Sequence, residues 1–181
     1  MKRKIFFLVS LVGLVILVAS LARFLSARGP KLGQLRIDSV PVSNIFIDNN
    51  IIGKTPYKEK FNVGEYTVKL LPESAVHQLV SWQGKISVGQ NSLTYINATL
   101  NESELTTAVD TVWLEKITSK QSELSVTTSP DGATVLVDDV IKGVTPLSLQ
   151  DIAAGEHTVS ITSVGFQTRT MKVITTSGYR L

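Results

Sequence analysis

The sequence predicts an all-β protein: two small antiparallel β-sandwiches that follow one membrane-spanning helix. Three observations lead to this prediction. The phrase IDNNIIGKTP at residues 47–56 recurs as VDDVIKGVTP at residues 137–146. The segments around both phrases alternate apolar with polar residues and are rich in β-branched side chains, which is typical of half-buried strands. An uncharged, apolar stretch stands ahead of them, at residues 5–22.

Composition excludes several kinds of site. The chain has no Cys, so a disulfide framework, a thiolate zinc site and a Cys nucleophile are excluded. The net charge is +3, and Lys2, Arg3 and Lys4 account for the whole excess. Because the remaining charges balance and form no basic run, we predict no nucleic-acid partner.

The N-terminus is predicted to be a membrane anchor. Residues 1–4 form a basic head, and residues 5–25 form the helix. Its uncharged part, residues 5–22, would span roughly 27 Å at about 1.5 Å per residue, close to the thickness of a bilayer's hydrocarbon core. A soluble helix would carry a polar face, which this stretch lacks.

Two interpretations of this segment stay open. Ser20 and Ala22 could precede a signal-peptidase site, with cleavage before Arg23. The length favours an uncleaved anchor, because the apolar region of a signal peptide usually runs about 7–15 residues. We expect a single-pass protein of the cell membrane with a cytoplasmic N-terminus, a stalk over residues 26–33, and extracytoplasmic domains beyond it.

Two domains are predicted from the repeat, at residues 34–117 (with a connecting strand) and 118–181. The aligned pairs extend well beyond the recurring phrase: Leu35 with Leu124, Pro41 with Pro130, Asp48 with Asp138, Gly53 with Gly143, Gly64 with Gly155, Tyr66 with His157, Trp82 with Phe166, and Val88 with Val173. The pairing of Trp82 with Phe166 predicts a shared core position.

Turn chemistry separates the predicted strands. Asp48 and Asp138 begin polar pairs that tolerate the positive φ of tight hairpins. The glycines that follow need no side chain where the backbone bends. Proline then ends strand pairing, because it has no N–H for a sheet ladder.

The closing strand of the second copy is shorter than that of the first. The first copy has a strand over residues 92–100, whereas the second has only residues 179–181 after its turn. We therefore expect part of a neighbouring strand to be exposed. Two explanations stay open: the chain is part of a longer protein, or the edge accepts a strand from a partner.

The second copy resembles a PEGA domain in its turn and strand motifs, with Asp131 standing where the family name has Glu. The first copy departs further at residues 41–44 but keeps the Gly-x-Thr-Pro motif. The resemblance covers residues 33–100 and 122–181. It implies an extracytoplasmic β-module of bacterial and archaeal envelope and surface-layer proteins, with no catalytic residues. The motif positions are Pro130, Asp131, Gly132, Ala133, Gly53, Thr55, Pro56, Gly143, Thr145, Pro146, Gly64 and Gly155.

No group of side chains predicts catalysis, a metal or a cofactor. His77 lies in a loop that the second copy lacks, and His157 takes the place of a strand tyrosine. Asp131, Asp138 and Asp139 are interpreted as turn residues rather than as calcium ligands. Trp113 has no counterpart in the other copy, so we choose it as the candidate glycan contact.

The expected function is non-catalytic. Two extracytoplasmic modules would serve as spacers or docking units for wall polymer, a surface layer or another envelope protein. The alternative is a carbohydrate-binding module protein that recognises an envelope glycan.

Overall fold

From Leu32 onward the described residues form strands and turns, so the all-β class is confirmed. The structure is a computed structural model that describes residues 13–20, 30–74 and 78–181. Residues 13–20 are helical with exposed side chains. Within the described ranges, no helix is long and apolar enough to span a membrane. The other positions of the predicted anchor lie outside those ranges.

Both repeats use the same succession of strands. The first contains β1 (Leu32–Val40), β2 (Ser43–Ile47), β3 (Asn50–Lys54), β4 (Tyr57–Asn62), β5 (Gly64–Pro72), β6 (Trp82–Val88), β7 (Leu93–Thr99) and β8 (Ala108–Val112). The second contains β9 (Glu115–Lys116), β10 (Ser122–Val126), β11 (Thr134–Val137), β12 (Val140–Val144), β13 (Leu147–Ile152), β14 (Gly155–Thr162), β15 (Arg169–Thr175) and β16 (Tyr179–Arg180). Strands β1 to β7 correspond in order to β10 to β16.

Each repeat folds its strands into two four-stranded sheets. In the first repeat the orders are β4-β1-β7-β8 and β3-β2-β5-β6. In the second they are β13-β10-β16-β9 and β12-β11-β14-β15. Apolar residues from both sheets of a repeat meet in one buried cluster, so each repeat is a sandwich with its own core.

The sandwiches are antiparallel as predicted, except for one parallel pair of strands in each repeat. Strands β1 and β7 pair in parallel over seven positions, and β10 and β16 also pair in parallel. A hairpin forces antiparallel pairing, whereas a strand that arrives from another sheet is not bound by that rule. Strand β7 follows β6, which lies in the opposite sheet, and then enters beside β1.

The hairpins after β2 and β11 are confirmed. Asp48 and Asn49 have φ values of 47° and 67°, and Asp138 and Asp139 have values of 51° and 64°. Two consecutive residues of positive φ define the type I′ turn, whose twist matches that of the flanking strands. The Oδ1 atom of each aspartate also accepts a hydrogen bond from a backbone N–H of the next strand in the sheet.

The alignment of β6 with β15 needs correction. In the structure Leu70 pairs with Trp82, and the equivalent Ile161 pairs with Arg169, not with Phe166. Phe166 lies in the preceding loop and is 40% exposed, so the shared core position was wrong. By the same register, Val173 matches Ile86 and Thr175 matches Val88.

The first core is larger than the second. Its buried residues are Leu35, Ile37, Ile45, Ile47, Val68, Leu70, Ile86, Val88, Ile96, Ala98 and Leu100. Those of the second are Leu124, Val126, Val135, Val137, Val159 and Val173. Much of the difference comes from Ile96, Ala98 and Leu100, which lie in and just after β7 and have no counterpart after β16.

Candidate functional site

The Gly-x-Thr-Pro motif carries each chain segment from one sheet to the other. Gly53 and Gly143 have φ values of 156° and 152°, a region that side chains rarely adopt. A Cβ atom at Gly143 would lie 3.0 Å from Leu147 Cδ1, and one at Gly53 would lie 3.6 Å from Tyr57 Cδ2. The glycine is therefore required by the backbone in both repeats and by packing chiefly in the second.

The threonine of this motif has a role that the sequence analysis missed. Thr145 is 3% exposed, and its Oγ1 accepts a hydrogen bond from Ala133 N at 3.0 Å. Thr55 does the same for Ser43 N, also at 3.0 Å. In both repeats a further hydroxyl completes the cluster, because Thr128 Oγ1 lies 2.5 Å from Thr145 Oγ1 and Ser39 Oγ lies 2.7 Å from Thr55 Oγ1. The hydroxyls of Thr55 and Thr145 each satisfy a buried backbone donor at the point where the chain passes from one sheet to the other.

The other motif residues also shape the backbone. Pro130, Asp131, Gly132 and Ala133 connect β10 to β11, and Gly132 has a φ of 91°. The peptide bonds before Pro41, Pro56, Pro130 and Pro146 are all cis. Gly155 opens β14 with a φ of 143°, whereas Gly64, at the equivalent position, is not in that region.

His157, on β14, contacts Asp138 in the turn after β11 and Ala153 in the loop before β14. We call these three residues the latch. The Nδ1 of His157 lies 2.6 Å from Asp138 Oδ2, its Nε2 lies 2.8 Å from Ala153 O, and its side chain is 11% exposed. Both acceptors lack a proton to donate, so the doubly protonated ring satisfies both contacts. The Asp138 hydrogen bond, helped by Ala153, raises the pKa of His157, and the His157 hydrogen bond lowers the pKa of Asp138. In the first repeat the Tyr66 hydroxyl donates to Asn62 O at 3.0 Å, in the same place as the Ala153 contact.

The remaining candidate residues from the sequence form no common site within the described ranges. Trp113 is partly buried in the two residues between β8 and β9. His77 lies outside the described residues. Across the described ranges, no group of three or more His, Cys, Asp or Glu side chains could hold a metal ion.

Residues 108–116 connect the repeats and add an edge strand to each of them. Strand β8 pairs antiparallel with β7. Strand β9 pairs antiparallel with β16. Although β9 falls within residues 34–117, the predicted first domain, it belongs to a sheet of the second repeat. The connecting segment therefore contributes one strand, β8, to the first repeat and another, β9, to the second.

Arg180 holds β16 between its two neighbours. Its Nε donates to Glu123 Oε2 of β10 at 2.9 Å, and its Nη2 lies 2.7 Å from the same oxygen. Its Nη1 lies 3.5 Å from Glu115 Oε2 of β9. The hydrogen bond that the guanidinium donates to Glu123 raises the pKa of Arg180. In the first repeat the pair equivalent to Glu123 and Arg180 is Gln34 and Leu93, so only the second repeat uses charge here.

The edge of β10 that faces β16 is only partly covered. One residue pair, Glu123 with Arg180, joins the two strands. Two backbone bonds of 2.8 Å extend the contact: Leu181 N donates to Glu123 O, and Ser125 N donates to Leu181 O. Thr127 follows the end of β10, and its N–H has no backbone partner within the described ranges.

Comparison with known proteins places a family on the second repeat. The model of the PEGA domain matches residues 121–180. No curated protein and no solved structure matches the chain. The predicted resemblance is thus confirmed for the second repeat, while for the first it stays a prediction.

Proposed function

We propose that the chain is a non-catalytic, single-pass envelope protein that presents two PEGA-like β-modules outside the membrane as spacer or docking units. The PEGA match over residues 121–180 suggests an extracellular surface module. The apolar residues 5–22 and the basic head before them support the anchor.

The observation that carries this proposal is how the motif residues shared by the two repeats are used. Gly53 and Gly143 serve backbone bends, and the hydroxyls of Thr55 and Thr145 satisfy buried backbone N–H groups. These residues stabilise each sandwich, because their backbone geometry and their hydroxyls are used within the fold. A module built in this way offers its surface and its sheet edges to a partner.

Fractionation tests the anchor. The full chain should sediment with membranes and resist extraction by high salt, because a long apolar helix inserts almost irreversibly. Protease added outside spheroplasts should digest the chain beyond about residue 30. A mature protein that begins at Arg23 would show cleavage instead of anchoring, and full protection from protease would reverse the orientation.

A binding experiment tests the docking role against the carbohydrate alternative. The full chain, purified in a mild detergent, is incubated with isolated cell wall, with a glycan array and with envelope proteins. Docking to a wall polymer or a protein should survive Trp113→Ala, whereas glycan recognition through that side chain should be lost. If none of these materials retains the chain, the docking role is contradicted and only the spacer role remains.

A further inference from the structure

An ion pair joins the two repeats, which belong to one compact unit, Leu32–Leu181. Arg169 begins β15 of the second repeat, and Asp110 lies in β8 of the first. The Nε of Arg169 donates to Asp110 Oδ1 at 3.3 Å, and its Nη2 donates to Oδ2. Two parallel bonds from one guanidinium to one carboxylate form a strong and geometrically specific contact. We call Arg169 and Asp110 the bridge.

Arg169 takes the place of a core residue of the first repeat. In the register of β6 and β15, Trp82 and Arg169 are equivalent. Trp82 packs against the first core. Arg169 instead reaches across to the first repeat, and 42% of its side chain is exposed. The second repeat therefore uses at this position a side chain that contacts the other repeat rather than its own core.

The first repeat receives Arg169 on the outer face of the sheet β4-β1-β7-β8. Asp38, Asn97 and Asp110 lie side by side across β1, β7 and β8. Ile96, which precedes Asn97, is buried, so this row of polar side chains points away from the core. Asp38 pairs with Arg36 inside the first repeat. Asp110, with a side chain only 22% exposed, takes its partner from the second repeat.

The segment that connects the repeats is held on both sides. Two residues, Trp113 and Leu114, separate β8 from β9, and both are partly buried. A Cβ atom at Gly89 would lie 2.8 Å from Leu114 O, so the segment packs closely against the turn after β6. Just after β9, Ile117 N donates to Gly178 O at 3.0 Å. The motion left to the repeats is a rotation about this short segment.

The bridge opposes that rotation. Asp110 stands three residues before Trp113, which places it roughly 10 Å from the connecting segment at about 3.3 Å per residue of strand. A second attachment at this distance converts a single hinge into a contact at two points. Because the short segment already keeps the two side chains near each other, little further freedom is lost when the bridge forms.

We propose that the bridge between Arg169 and Asp110 holds the two repeats together as one rigid unit, with a fixed spacing and angle between their surfaces. Domains joined by a small contact otherwise move relative to one another. A partner that touches both repeats then meets two surfaces at a constant separation, which raises the effective concentration of the second contact. The bridge acts in this way whether the chain is a spacer or a docking unit, so the inference does not depend on the proposed function.

A distance measured between the repeats tests the proposal. The chain has no Cys, so spin labels can be attached at Lys85→Cys in β6 and Lys142→Cys in β12, two exposed positions. The full chain in a mild detergent should give one narrow distribution of distances between the labels. Asp110→Ala should broaden this distribution at least about twofold, because the repeats are then joined by the short segment alone. Its melting temperature should hardly change, since a partly exposed ion pair adds little to stability.

Three further variants locate the effect. Arg169→Gln, on the other side of the bridge, should broaden the distribution as much as Asp110→Ala. Asp38→Ala removes the ion pair with Arg36, which lies on the same face but within one repeat, and should leave the distribution narrow. Asp110→Arg combined with Arg169→Asp reverses the bridge and should restore the narrow distribution.

Four results would overturn the proposal. The first is a parent chain whose distribution is already as broad as that of the variants. The second is a narrow distribution in Arg169→Gln or Asp110→Ala, and either variant decides this if the other fails to fold. The third is equal broadening by Asp38→Ala, and the fourth is a reversed bridge that stays broad. None of these results bears on the anchor or on binding, which fractionation and the wall-binding experiment decide separately.

Discussion

The buried hydroxyl of Thr145 gives the sharpest test of how the fold is held together. Thr128 Oγ1 donates to Pro130 O at 2.7 Å, so the Thr145 hydroxyl donates to Thr128 and accepts from Ala133 N. Thr145→Val keeps the shape of the side chain and removes only these bonds. The Thr128 hydroxyl keeps its own acceptor, whereas the Ala133 N–H is left without one.

The expected loss of stability follows from the Ala133 N–H, the one donor that is left without an acceptor. Leaving a buried donor unsatisfied costs about 1–3 kcal/mol in the free energy of unfolding. In a repeat of this size each 1 kcal/mol lowers the melting temperature by roughly 4–8 °C. We therefore expect Thr145→Val to lower the melting temperature of the second repeat by roughly 5–20 °C.

Two controls isolate the hydroxyl. Thr145→Ser keeps it and loses one methyl group, which costs about 0.8 kcal/mol. Thr162→Val changes an exposed hydroxyl on β14 and should cost less than about 0.5 kcal/mol. Thermal unfolding of the full chain, with hydrogen exchange at the Ala133 amide to assign the transition, provides the measurement. A valine variant as stable as the parent, or a serine variant as damaged as the valine one, would refute the reasoning.

Two further predictions concern other parts of the repeats. Gly143→Val should lower the melting temperature more than Gly53→Val, because its Cβ meets a closer neighbour, and Asp131→Ala should change it least; equal effects in thermal melting would contradict this order. The pKa of His157 is raised above about 6.5 and that of Asp138 is lowered. The latch should therefore stabilise the second repeat fully below the ordinary His pKa and lose its effect as pH rises through the folded-state pKa. On the acid side the effect of Asp138 should disappear as pH falls through its lowered pKa. Urea unfolding at several pH values, with His157→Gln as the variant whose stability lacks the alkaline fall, measures this.

Local turn chemistry was readable from the sequence because it depends on single residues. The positive φ values of Asp48 and Asp138 follow from side chains that tolerate such turns. The repeat itself, the all-β class and the expected role of His157 as a strand residue follow from periodicity. Thr145 was less visible, since nothing local shows that its hydroxyl faces an N–H twelve residues earlier in the chain.

Register could not be read in the same way. A slip of one residue turns every side chain to the other face, whereas a slip of two keeps the alternation intact. Val88 and Val173 could therefore be aligned although they stand two residues apart in the structural register. Phe166 was aligned with Trp82 for a different reason: a Gln follows both residues, and the preceding loops differ in length, so that Arg169 is the structural equivalent of Trp82. The parallel pairing of β1 with β7 was hidden too, since alternation identifies a strand's buried face but not its neighbour.

The parallel neighbours β1 and β7 also determine how the first repeat would carry a pulling force. Tension on the chain beyond the first repeat would first peel β8 from β7, because these two strands pair antiparallel. The chain is then held at Leu32, where β1 begins, and at Thr99, where β7 ends. Because the strands run side by side in the same direction, these points lie at opposite ends of the pair. Tension would slide one strand along the other and load all seven pairings together, whereas tension on a hairpin opens its bonds one after another. Such a tether resists stretching until it yields abruptly, at a rate set by the barrier to unfolding.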